Sequence, residues 1–276
     1  MVVDDIVITD ELVRRVEREL AHDGQSLAGA MRRLDPGTDA AAVPRAGGVV
    51  VHTGPGLFVN RAIGMGVTEA ADADDVDFVI DFFDQRRMPA EIELCPYADD
   101  RLRARASERG FAVAWFRTAF TRGTDSLELL GEGSGSGEGT TQFELVDSRA
   151  TFVQWAAVHR AIAPDAPTDA LDRALEARNS LPGAHDFLAR RDGVTVGVCS
   201  LIVHDGVATF GGMGVFPDQR ARGVQADCVA FRLALARDLG ADLALVTAPP
   251  GSASARNVER AGFVPRYTSA CLRRPR

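Results

Sequence analysis

Arg220-Ala-Arg-Gly-Val-Gln225 is the stretch in which residue type and spacing point most directly to chemistry. Two guanidinium groups and a glycine fall within six residues, and no acidic residue follows Asp218 before the helix expected from Gln225. A helix N-terminus leaves backbone N–H groups unpaired and carries partial positive charge. A pyrophosphate suits such a place, with Gly223 allowing close backbone approach and Arg220 and Arg222 adding charge. Read alone, the same residues also make an ordinary strand–loop–helix join.

The elements that would position this bend are legible around it. Val207–Val215 reads as a strand, Pro217 opens a turn, and Gln225–Leu239 reads as a helix. Val229, Leu233 and Ala236 share one face of that helix, and Gly240 supplies its stop. Upstream, Thr141–Val146 reads as a strand and Arg149–Ile162 as a helix. Asp165–Arg178 is a helical region broken around Pro164 and Pro167. His185–Arg190 and Thr195–Val203 read as strands joined at Asp192-Gly193. Downstream come a strand at Asp242–Ala248, a helix at Ser252–Ala261 closed by Gly262, and a last strand at Phe263–Leu272.

The first half repeats the later part of this order: Gly48–His52, Phe58–Val67, a helix Asp75–Phe83, Glu91–Cys95, a helix Asp99–Glu108, then Phe111–Phe120. Two sequence echoes support duplication. Ile63-Gly-Met-Gly-Val67 recurs as Gly211-Gly-Met-Gly-Val215, and Arg109-Gly-Phe-Ala-Val-Ala-Trp115 as Ala261-Gly-Phe-Val-Pro-Arg-Tyr267. Between the halves, Gly131-Glu-Gly-Ser-Gly-Ser-Gly-Glu-Gly139 has the composition of a flexible linker, with no apolar face. The expected organisation is a first domain at 1–124, a linker at 125–141 and a second domain at 142–276.

Composition narrows the function classes. The chain has 276 residues, of which 46% are hydrophobic and 25% charged, as in a globular protein. No apolar run approaches a membrane span, and the acidic N-terminus shows no secretory signal, so a cytoplasmic protein is expected. Net charge is -8 and unevenly spread: residues 1–141 carry 15 Arg against 25 acids, and residues 142–276 carry 16 Arg against 14. That balance argues against nucleic acid as a partner but leaves room for one compact anion. The four cysteines and five histidines are dispersed, without metal-ligand spacing, so no metal is expected.

Arg220-Ala-Arg-Gly-Val-Gln225 resembles the Arg/Gln-x-x-Gly-x-Gly/Ala signature of the GNAT superfamily of N-acetyltransferases. Val215 and Pro217 before it, the long helix after it, and Gly262-Phe263 opening the last strand match the same pattern. The resemblance covers residues 142–276; with a degenerate first copy, the whole chain is similar to tandem-GNAT proteins. It implies an α/β (α+β) fold of two GNAT-like domains. Each would be a mixed, mostly antiparallel sheet flanked by helices, with a splayed parallel strand pair in the C-terminal domain.

The resemblance also implies acetyl-CoA as acyl donor, lying between the strands Val207–Val215 and Asp242–Ala248. Gly214 and Val215 would pair with its pantetheine. The backbone of Arg220, Ala221, Arg222, Gly223, Val224, Gln225 and Ala226 would hold its pyrophosphate. A primary amine on a small molecule or peptide would attack directly in a ternary complex. A catalytically silent acyl-CoA-binding module is the alternative. Self-association as a homodimer is left open.

The sequence departs from the family pattern in two places. Gln225 stands where the signature has a small residue. Val258 stands where relatives often carry the tyrosine acid. Ser254 and Tyr267 are the substitute candidates for the acid, and Asn257 for a contact to thiolate or cofactor. His159, Asp165, Asp169 and Glu176 fall in the region that lines the acceptor pocket in the family. In the first half, Glu69, Asp72, Asp74 and Asp75 replace the arginines and glycine, so no CoA binding is expected there.

Overall fold

The computed structural model describes residues 8–57, 59–125 and 140–276. Most of the expected linker, and Phe58 of an expected strand, lie outside the described residues. The chain forms two compact units: Met1–Ala119 with Thr247–Pro250 and Arg266–Arg276, and Phe120–Val246 with Gly251–Pro265.

The first unit begins with α1 (Asp10–Leu34), an element that no sequence expectation covered. Its signals are ordinary. The Thr9 side chain accepts from Leu12 N–H, Asp10 and Glu11 sit in the first turn, and Arg32 and Arg33 in the last. Val13, Val16, Leu20, Ala28 and Met31 are buried at helical spacing, a periodicity already present in the sequence. β1 (Ala41–Arg45), also unanticipated, pairs antiparallel with β2 (Gly48–His52). β2 pairs antiparallel with β3 (Arg61–Ile63), and β3 runs parallel to β4 (Ala90–Leu94) at Ala62 and Ile92. The helices α2 (Ala73–Asp84) and α3 (Asp100–Glu108) bury Val76, Val79, Phe83 and Leu102 in one core with Ile92.

β11 (Val264–Arg274) pairs antiparallel with β4, setting Leu272 opposite Ile92, and its far side carries β5 (Ala112–Gly123). Most of the last strand therefore belongs to the first compact unit, not to the second. Alternation marked these residues as a strand, but the edge a strand chooses is set by long-range hydrogen bonds that local periodicity does not encode.

The first unit also holds buried charge. Glu93 accepts from Arg61 Nε at 2.7 Å and from Arg117 Nε at 2.7 Å. Burial alone would raise its pKa, yet Arg117 and Arg61 outweigh that and hold it below the usual carboxylate range. Glu17 lies nearby on α1, 1% exposed, and accepts from the Tyr267 hydroxyl at 2.6 Å. Burial, then the Glu93 charge, pushes the Glu17 carboxyl up to about 7. The unfolded chain loses this proton near pH 4.5 and the folded chain only near 7. Glu17 therefore lowers stability as pH rises through that window, by about 3 kcal/mol in full. We expect urea melts to show this loss between pH 4.5 and 7, and Glu17→Gln to flatten it. An unchanged pH profile in E17Q would contradict the assignment.

The second unit has the sheet order β10-β9-β8-β7-β6. β6 (Gln142–Leu145), β7 (Ala184–Arg191), β8 (Val194–His204) and β9 (Val207–Val215) pair antiparallel in sequence. β10 (Leu243–Ala248) runs parallel to β9. The helices α4 (Arg149–Ile162) and α5 (Thr168–Asn179) pack on one face, where Trp155 and Val158 meet Leu188 and Val198. α6 (Val224–Asp238) packs on the other, where Cys228 meets Phe187 and Cys199. Successive strand residues point to opposite faces, so the two cores alternate along β7 and β8. α7 (Ala253–Arg260) starts behind Ser252, whose side chain accepts from Ala255 N–H. Among the described residues no helix is long and apolar enough to cross a membrane.

Candidate active site

The parallel register of β9 with β10 covers Val207–Thr209 and Leu243–Leu245 only. β9 continues through Phe210–Val215, still paired to β8. One edge of its C-terminal half thus parts from its parallel neighbour. Gly214 and Val215 lie in this half, opposite Val198 and Gly197 of β8. The β8–β9 register also shifts between Val198–Gly214 and Ser200–Gly211, leaving an extra residue on β9. Gly212, at φ 53°, occupies this bulge, and a Cβ there would fall 2.8 Å from Ser200 Oγ.

Beyond Val215 a single 3-10 turn, Pro217–Gln219, leads into Arg220–Gly223 and then α6. Gly223 is the N-cap residue in the left-handed region at φ 84°, and no side chain caps the helix. The first N–H groups of α6 have no acceptor within the helix. α2 in the first unit is built oppositely. Asp72 caps it, accepting from Asp74 and Asp75 N–H, while Asp75 accepts from Asp72 N–H. A carboxylate thus fills at α2 the role that stays bare at α6.

The bend is braced from behind by Arg191, a residue the sequence did not single out. Its Nη1 donates to the Arg222 carbonyl at 2.7 Å, its Nε to Thr141 Oγ1 at 2.9 Å, and its Nη2 to Asp227 Oδ2 at 3.0 Å. Nothing local marks such a brace, because Arg191 and Arg222 are 31 positions apart. Arg220 and Arg222 themselves are exposed. Asn257 Nδ2 donates to Gln225 Oε1 at 2.5 Å, so these two expected cofactor contacts are brought together where α7 meets α6.

The proposed acids fare differently. Ser254 is exposed on the first turn of α7. Tyr267 is buried in the first unit with its hydroxyl donated to Glu17, and burial drives its pKa far above the normal phenol range. Its proton is committed to that buried bond, a pairing across 250 positions that no local pattern announces. Val258 is buried in the α7 core face. His159 lies on α4 with its ring edge against the bulge: Cε1 is 3.4 Å from the position of a Gly212 Cβ. Trp155 meets the ring edge-on at 4.4 Å. Burial, then Arg178, lowers the His159 pKa to about 4, leaving the imidazole neutral at physiological pH. Among the described residues no group of three side chains could hold a metal ion.

No protein-family model matches the sequence, and no curated protein matches it as a relative. Solved structures do resemble the fold. A GCN5-related N-acetyltransferase from Kribbella flavida superposes with a TM-score of 0.65 at 21% identity, over 93% of this chain and 96% of that one. A tandem GNAT protein from the clavulanic acid biosynthesis pathway gives 0.54 at 15% identity, over 82% and 73%. A GCN5-related N-acetyltransferase from Sphaerobacter thermophilus gives 0.56 at 15%, over 72% and 66%. With the parted strands and the bare helix start behind them, this chain has the fold of the GCN5-related N-acetyltransferases, tandem members of that group included.

Proposed function

We propose that the protein is an acyl-CoA-dependent N-acetyltransferase acting through its second unit, with the first unit in a structural role. The observation that carries this reading is the uncapped start of α6 behind Gly223, at the end of a strand that has left its parallel neighbour. The backbone N–H groups of Arg220–Ala226 would hold the pyrophosphate, helped by Arg220 and Arg222. The free edge of β9 at Gly214 and Val215 would align the pantetheine, and Asn257 would reach it beside Gln225.

Acetyl-CoA would supply an activated thioester, whose C–S bond breaks as the amine nitrogen bonds to the carbonyl carbon. The ammonium proton leaves before attack and a second N–H proton after it. One of the two returns to the departing sulfur, so one proton is released per turnover. A backbone N–H at the Gly212 bulge would face the carbonyl oxygen as charge develops on it. Among the described residues α7 carries no tyrosine acid, and Val258 is buried there. A coenzyme A thiolate is a good enough leaving group to need none.

That missing acid is also what favours the second reading, a module that binds acyl-CoA without turnover. Thermal unfolding with acetyl-CoA and a thiol-release assay with amines separate the cases. Acetyl-CoA at 100 times its dissociation constant should add about 2.7 kcal/mol of stability. A shift without thiol release from any amine supports the silent module; no shift removes both readings.

A further inference from the structure

Buried polar atoms normally find partners, and clusters that do not are places where something else completes them. Among the described residues of the second unit, such atoms come from six side chains: Trp155, His159, Arg178, Asp186, Ser200 and Thr209. They are not scattered. Asp186 pairs with Ser200 across β7 and β8, and Thr209 pairs with Ile202 across β8 and β9. By alternation these three share the face that α4 and α5 cover. Trp155 and His159 come down from α4 and Arg178 from α5.

Arg178 is the most informative member. Its unpartnered atoms are Nε and Nη2, the edge of a guanidinium that grips a carboxylate with two parallel bonds. Its nearest acid, Asp186, has Oδ1 3.4 Å from Nε, close enough for attraction but with neither atom hydrogen-bonded. Asp186 Oδ2 is already taken by Asn179 Nδ2 at 2.9 Å. Next to this loose pair the sheet is bare. A Cβ on Gly211 would meet nothing within 4 Å, and Gly211 lies directly opposite Ser200. Glycine in a strand leaves room for a ligand to approach the backbone.

We infer that this cluster is the acceptor subsite and that it takes a small zwitterion, a free amino acid, with its carboxylate on the Nε–Nη2 edge of Arg178 and its amine at His159 Nε2 and Ser200 Oγ. The inference rests on the acetyltransferase reading and names the substrate class for it. The carboxylate brings Arg178 the two acceptors that its Nε–Nη2 edge lacks. His159 accepts an N–H hydrogen bond from the unprotonated amine, turning the nitrogen lone pair toward the bulge. The ammonium proton goes to solvent, because a neutral imidazole with a pKa near 4 is a poor proton sink. His159 is thus a residue that orients the nucleophile.

The test uses the full chain, with acetyl-CoA as the control ligand. Thermal shifts are measured with free amino acids and, for each, its methyl ester and its amide. The free acids should bind at least about tenfold more tightly than their neutralised counterparts, the discrimination expected from a two-bond guanidinium contact. Arg178→Lys keeps the charge but loses the two-armed edge, and should remove that preference while leaving the acetyl-CoA shift unchanged. Arg178→Gln should do the same, with its ligand-free melt as a control for folding. Esters and amides binding as well as the acids, or R178K retaining the preference, overturns the inference. So does the absence of any shift with the free acids. An amino-acid shift without an acetyl-CoA shift leaves the subsite standing and removes the acetyltransferase reading instead.

Discussion

Replacing Gly223 by aspartate should abolish stabilisation by acetyl-CoA while leaving a folded protein. The substitution places at α6 the kind of residue that caps α2, where Asp72 accepts from two backbone N–H groups. At φ 84° an aspartate is among the few side chains tolerated, at a cost of about 1–2 kcal/mol. Its carboxylate would stand within a few ångströms of the pyrophosphate. At an effective dielectric near 20 that repulsion is about 4 kcal/mol per unit charge, more than a hundredfold in affinity. The measurement is the acetyl-CoA thermal shift of G223D against the unaltered chain. A retained shift would place the coenzyme elsewhere and remove the role assigned to the bend. Ala at Arg222 is the gentler companion: its carbonyl, not its side chain, is held by Arg191, so R222A should weaken binding without loosening the bend.

The largest stability effect should come from Glu93→Ala. Glu93 and Arg61 both have side chains 2% exposed, and Arg117 is half-buried at 13%. Removing the carboxylate takes from two enclosed guanidinium groups the acid to which both donate. Breaking a buried pair in this way costs about 3–5 kcal/mol, and here two cations donate to the one acid removed. E93A should therefore unfold at markedly lower urea than the parent, and Glu93→Gln, which keeps two polar partners, at an intermediate concentration. A loss below about 0.5 kcal/mol, the ordinary surface-mutation range, would show that the network contributes nothing net. Cation–π contact adds to the arrangement, since Arg61 lies 5.3 Å from the Trp115 ring centre.

The sequence by itself determined the local pieces around the candidate site. Val207–Val215 and Arg149–Ile162 are the strand and helix that alternation and helical spacing indicated. Gly223, read from the sequence as allowing close backbone approach, takes a left-handed backbone that glycine reaches without strain. These features are decided within a few residues, by side-chain spacing and by what a glycine backbone permits. α1 was equally readable in Val13, Val16 and Leu20, which recur at helical spacing.

Tertiary structure alone decided what those pieces meet. It set β11 against β4, gave the Tyr267 hydroxyl to Glu17, put Arg191 behind Arg222, and gathered Arg178, Asp186, Ser200 and His159 on one face of a sheet. Each depends on a strand edge or a buried polar atom finding its partner far along the chain. That choice is made by the free energy of the packed whole, and no window of neighbouring residues contains it.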